Sequence, residues 1–173
     1  MTGIPFVDLA AQYQSIESEV NTAISEVLSS SSFILGDRVD MFEKAFAGYV
    51  DVDHAIGVSN GLDALRLSLM ALNIGRGDEV ILPANTYIAT ALAVSSVGAD
   101  PVLIDGDPES YNIDAKQIED AISVSTKAII PVHLTGQSAD MDPILDIGHK
   151  YDLHIIEDAA QAHLAEFKGK KCG

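Results

Sequence analysis

Apolar positions recur first at helical spacing and then in short unbroken runs. Ile16, Val20, Ile24, Val27 and Leu28 fall on one face of a helix, and Val39, Phe42, Phe46 and Tyr49 repeat the pattern. An apolar run, HAIGVS (54–59), reads as a strand and precedes a helical stretch, LDALRLSLMAL (62–72). GRGDEV marks a turn, and VILPAN (80–85) predicts a strand. TYIATALAVSSVGA (86–99) predicts a helix of small residues and PVLID (101–105) a strand. Asp114, with Gln117 three residues on, predicts a capping box opening the helix DAKQIEDAIS. AIIPVHL (128–134) predicts a strand, MDPILDIGHKYD (141–152) a helix with Pro143 in its first turn, and LHIIED (153–158) a last strand.

The strands are apolar runs rather than alternating patterns, which predicts burial on both faces. The fold class expected is α/β: a three-layer sandwich with a mostly parallel sheet and helices on both sides. No fixed-period repeat or low-complexity linker interrupts it. In such sheets ligands lie at the carboxyl ends of the strands, so chemistry is sought in the segments that follow each strand.

Composition narrows the functional classes. With 173 residues the chain is long enough to bury one real core. A net charge of -16 excludes nucleic acid and an anionic membrane surface as expected partners; the only basic cluster is KGKK at 168–171. The single cysteine, Cys172, can form neither an internal disulfide nor a cysteine-only metal site, and a reducing cytoplasm is the natural compartment. The first residues, MTGIPFVDLAAQ, lack a basic n-region, so no signal peptide is expected, and no apolar stretch has the length of a membrane span.

Four strand ends carry candidate chemistry. In SNGLDAL (59–65), Gly61 is expected to permit an unusual turn into a helix. The unsatisfied first-turn N–H groups make an anion site there, although a plain Ser/Asn helix cap accounts for the same residues. Neither GxGxxG nor GxxxxGK[ST] occurs, which counts against a dinucleotide-binding or P-loop enzyme. In PANTYIAT (83–90), Tyr87 stands where a ring could stack on a flat ligand or simply pack. In PVHLTGQ (131–137), His133 reads as a core histidine satisfied by a carbonyl. In IIEDAAQAH (155–163), two acids end an apolar run. A carboxylate there is costly without a cationic partner, so Asp158 could pair with a protonated ring nitrogen. Gln161, one turn on if the chain coils, could bond a phenolic oxygen of the same ring. A magnesium-binding acid pair would need a phosphate loop that is missing, and two solvated loop acids remain the purely structural alternative.

Taken together, these motifs resemble the amino-terminal part of the DegT/DnrJ/EryC1/StrS family of sugar aminotransferases, which use pyridoxal phosphate on a fold type I scaffold. The resemblance rests on PFVDL, FILGDRVDMFEKAFAGYV, GVSNGLDAL, GDEVILPANTYIATALAV, SYNID, TKAIIPVHLTGQSADMDPI and IIEDAAQAH, and so covers nearly the whole chain. It implies that the Gly61–Leu62 backbone holds the cofactor phosphate. Tyr87 would stack on the ring, Asp158 would pair with its nitrogen, and Gln161 would bond its phenolic oxygen. It also implies amine transfer from a donor, glutamate, to a keto group of a nucleotide-linked deoxysugar, with NGLDAL similar to the branch that aminates 3-keto-6-deoxy sugars. A homodimer is implied for the full-length protein, and no metal.

The resemblance divides the chain into an N-terminal helical segment (1–50) and a partial cofactor-binding large domain (51–173), with no small C-terminal domain. The Schiff-base lysine of the family lies beyond Gly173, so these residues alone are expected to be inactive and prone to self-association. A non-catalytic cofactor-binding remnant, and a dehydratase relative with histidine at the lysine position, are the alternatives. Three positions depart from the family pattern: Leu62 for a common threonine, Thr135 for tyrosine, and Leu164 for a glycine, where a side chain is expected to crowd the turn.

Overall fold

The structure, a computed structural model, describes residues 3–173. The elements run α1 (Leu9–Ser30), α2 (Asp37–Val50), α3 (Gly61–Ala71), β1 (Glu79–Pro83), α4 (Ile88–Ser96), β2 (Asp100–Ile104), α5 (Ala115–Ala121), β3 (Thr126–Ile129), α6 (Met141–Tyr151), β4 (His154–Ile155), β5 (Glu166–Phe167) and β6 (Lys170–Lys171). The first four strands form one parallel sheet in the order β2-β1-β3-β4. The last two form a hairpin around Lys168 and Gly169, both at positive φ, as a two-residue turn requires.

The apolar runs place side chains alternately on the two faces of the sheet. Val80, Leu82, Ala128 and Ile130 meet Leu65 and Leu69 of α3 and Ala93 and Val94 of α4. Ile81 and Ile129 turn the other way, onto Ile118 of α5 and Ile144 and Ile147 of α6. The α/β expectation therefore holds, with a core on each face. Each fully buried Leu or Ile contributes about 2 kcal/mol of apolar transfer.

Three local expectations differ. The run 54–59 is not a strand: Ile56 is 82% exposed and the Gly57 N–H bonds the Glu43 side chain at 2.7 Å. Extended backbone becomes a strand only beside a partner, and no described strand lies next to it. PVLID forms β2, but at the sheet's edge, where Leu103 is 55% exposed rather than covered on both faces. At α5, Asp114 accepts from the Lys116 N–H at 3.1 Å, and the Gln117 amide returns to the Asp114 carboxylate at 2.9 Å. The cap thus closes through side chains instead of the reciprocal backbone pair of a capping box.

Helix α1 begins at Asp8, whose carboxylate accepts from the Ala11 N–H, and ends at Ser31 in the left-handed region. It buries none of its residues, and Ile16, Ile24 and Leu28 remain exposed along its apolar face. Arg38 of α2 pairs with Glu26 of α1.

One buried polar side chain ties the strand ends together. Asn112, in the β2–α5 connection, donates to the Gln137 carbonyl at 3.0 Å and accepts from the Leu134 N–H at 3.1 Å. It thereby staples the loop that leaves β3. Asn112→Ala strands both backbone groups and should cost about 2 kcal/mol in urea unfolding; a variant as stable as the parent would show that water satisfies them.

Candidate functional site

Asp158 is fixed from two sides. Its N–H donates to the Pro131 carbonyl at 2.9 Å and its carbonyl accepts from the His133 N–H at 3.1 Å, a parallel bridge continuing the β3–β4 ladder past its regular end. LHIIED thus keeps strand pairing as far as Asp158, although only His154–Ile155 form a regular strand. Its side chain is held by Thr90 of α4, whose hydroxyl donates to Oδ2 at 2.9 Å. Thr86, before the same helix, reaches the Thr90 hydroxyl at 3.0 Å. The other oxygen, Oδ1, takes only a long bond among the described residues, from the Ala160 N–H at 3.3 Å.

His133 is fully buried and satisfied, as a core histidine should be, but its partner is a carboxylate rather than a carbonyl. Nδ1 accepts from the Ala139 N–H at 3.0 Å, so the ring proton sits on Nε2 and is donated to Glu157 at 2.8 Å. This bond holds the Glu157 carboxyl below the usual glutamate range; burial opposes the shift and the Gly173 N–H, at 3.2 Å, adds to it. Cys172 lies close by, with donor atoms of all three residues within 4.8 Å of one another. Metal coordination through Nε2 would move the ring proton to Nδ1, against the Ala139 N–H. His133, Glu157 and the Gly173 N–H therefore form a hydrogen-bonded strut that clamps the loop after β3 and the segment following the β5–β6 hairpin to the residue beside Asp158.

The start of α3 has free donors. Asn60 caps the helix by accepting the Asp63 N–H at 2.9 Å and the Ala64 N–H on its carbonyl at 3.1 Å. The Gly61 and Leu62 N–H groups have no partner among the described residues. Asp63 is neutralised locally, bonding Ser59 and pairing with Arg66 at 2.8 Å. Gly61 does not adopt the unusual turn expected of it, since its φ is not positive. What its missing side chain leaves is room: a Cβ there would meet nothing within 4 Å.

Gly61 and Asp158 share the walls of one cavity of about 230 Å³, with Phe46 of α2, His163, Cys172 and Gly173 among its other linings. Phe46 meets the His163 ring edge-on at 6.1 Å, which closes that side. Leu62, Tyr87 and Gln161 do not line it. Tyr87 is the N-cap residue of α4, 76% exposed, and its neighbour Thr86 reaches Asp158 through Thr90. Gln161 does not stand one helical turn from Asp158. The chain makes a tight turn there, with the Ala162 N–H on the Ala159 carbonyl at 2.9 Å, and the Gln161 side chain is exposed. Its carbonyl packs under Gly136, where a Cβ would come within 3.2 Å. Thr90 is not singled out by sequence, and Glu157 is read there only as half of an acid pair. A threonine inside a small-residue helix and an acid beside another acid carry no signal of their partners.

An acid pinned at a parallel strand end and an open helix start thus line one cavity of an α/β fold. The chain belongs to the DegT/DnrJ/EryC1/StrS aminotransferase family, whose model matches residues 14–173. It is 52% identical over 170 residues to the dTDP-3-amino-3,6-dideoxy-alpha-D-galactopyranose transaminase of Aneurinibacillus thermoaerophilus, covering 98% of this chain and 47% of that protein. Among solved structures it is similar to Streptomyces venezuelae DesV in complex with a ketimine intermediate, with TM-score 0.96, 46% identity, and 98% and 46% of the two chains covered. It is also similar to NtdA of Bacillus subtilis with bound cofactor PMP, with TM-score 0.90, 37% identity, and 99% and 40% covered. The chain thus spans about half the length of these relatives. Among the described residues no helix is long and apolar enough to cross a membrane.

Leu164 sits at φ 69° with its side chain 55% exposed, so its cost lies in the left-handed backbone and not in crowding. Leu164→Gly should raise stability by about 1 kcal/mol in urea unfolding; a loss would mean that the leucine side chain makes up for the backbone. Because the folded Glu157 value is depressed, its stabilisation is present above the ordinary glutamate range and lost as pH falls through the folded value. Glu157→Gln should therefore be less stable than the parent at neutral pH, with the gap closing in acid; a gap independent of pH would remove this assignment.

Proposed function

We propose that this chain is the cofactor-binding, amino-terminal part of a pyridoxal-phosphate-dependent aminotransferase that aminates a keto group on a nucleotide-linked deoxysugar. The observation that carries the reading is the pairing, on one cavity, of a strand-end carboxylate with a helix start whose first N–H groups are free. These groups suit the two ends of the cofactor. The Gly61 and Leu62 amides at the positive end of α3 would bind its phosphate, with Gly61 leaving the approach open. The Asp158 Oδ1 would hold a proton on its ring nitrogen. Tyr87, exposed at the start of α4, would cover a ring face. Gln161 would need to swing from solvent to bond the phenolic oxygen.

When bound, pyridoxal phosphate supplies an electron-accepting ring that carries an amine between donor and acceptor, while the protein orients it. The amino donor is glutamate and the sugar carries its ketone at carbon 3, in line with family resemblance and with the named product of the Aneurinibacillus relative. The chain's net charge of -16 gives no long-range attraction for an anionic nucleotide sugar, so recognition must be local. We also propose a homodimer, supported by α1, which leaves Ile24 and Leu28 uncovered.

Mixing the chain with pyridoxal phosphate should shift the cofactor's absorbance, and Asp158→Ala should abolish the shift; binding that ignores Asp158 would refute this geometry. In sedimentation equilibrium the chain should self-associate, with the double variant Ile24→Glu, Leu28→Glu largely monomeric; equal masses for both would place the interface elsewhere.

A further inference from the structure

The ladder fixes the backbone of Asp158 but leaves its carboxyl group free to rotate. Among the described residues one strong side-chain contact stops it, the bond from Thr90 at 2.9 Å. Thr90 is buried in the first turn of α4, on an element otherwise unconnected in sequence to β4. An ionised carboxylate can only accept, so the Thr90 proton must point at Oδ2. The Thr90 oxygen is then the acceptor in its contact with Thr86 at 3.0 Å, and Thr86 must donate. The direction of the relay is thus determined: Thr86 to Thr90 to Asp158. It occupies Oδ2 and leaves Oδ1, with its single long bond from Ala160, turned toward other partners.

We propose that Thr90, oriented by Thr86, is the positioning residue that selects which Asp158 oxygen is presented to a cationic ring nitrogen. The cofactor half of this assignment rests on the function proposed above; the relay itself does not. By locking the carboxylate before the ligand arrives, the two threonines lower the ordering cost of binding. They also satisfy an acid that would otherwise be half-buried with one weak donor.

Two variants separate the hydroxyl from the shape of Thr90. Thr90→Val keeps the branched volume and loses the donor; Thr90→Ser keeps the donor and loses the methyl group. In urea unfolding of the chain without cofactor, Thr90→Val should lower the folding equilibrium constant about fivefold in the parent and far less in an Asp158→Ala background. An equal loss in both backgrounds would overturn the relay. In absorbance titration with pyridoxal phosphate, Thr90→Val should weaken binding about tenfold while Thr90→Ser stays close to the parent. Serine behaving like valine would assign the effect to packing and overturn the positioning role. If the parent chain produces no absorbance shift at all, the cofactor assignment of Asp158 fails, and the unfolding cycle alone still decides whether Thr90 orients it.

Discussion

The site depends on the way Asp158 is held. An acid at the end of an apolar strand is expensive unless both its backbone and its charge have partners. Here the backbone groups join β3 through Pro131 and His133, and the carboxylate is met by a hydroxyl from α4. Three elements far apart in sequence therefore converge on one residue. Parallel topology makes that convergence cheap, because β1, β3 and β4 all end on the same side of the sheet.

Around this point the structure spends buried polar groups on rigidity. His133 lies within the loop that follows β3 and Asn112 reaches into it from the β2–α5 connection, and each bonds backbone or carboxylate. Each buried polar atom of these two side chains has a partner, which marks a loop built to stay put. The same loop carries Gly136, at positive φ, packed against the Gln161 carbonyl in the turn following Asp158. The strut through Glu157 then ties in Gly173 and places the β5–β6 hairpin beside the cavity.

Much of this was legible in sequence because it follows from local pattern. Unbroken apolar runs separated by helical periods led directly to a parallel sheet with a core on each face. Asp158 could be singled out because a charge ending a buried strand is a conflict that demands a partner. The misreadings arose where the outcome depends on distant chain. The 54–59 run has strand composition but no neighbour to pair with among the described residues. The turn at Gln161 closes on the Ala159 carbonyl and packs against Gly136, a distant contact that sequence spacing does not reveal. Thr90 looks like any small helix residue until folding brings it to Asp158. Leu164 was suspected at the right place, but for crowding, whereas the structure puts the penalty in its φ.

The central claim is that one ligand spans the distance between the start of α3 and the Asp158 carboxylate. A crystal structure of the chain soaked with pyridoxal phosphate tests this most directly. Density for the phosphate on the Gly61 and Leu62 amides, with the ring nitrogen at Asp158 Oδ1 and Thr90 still on Oδ2, is the expected result. Density for the cofactor away from Asp158, or with its phosphate turned from α3, would contradict the account.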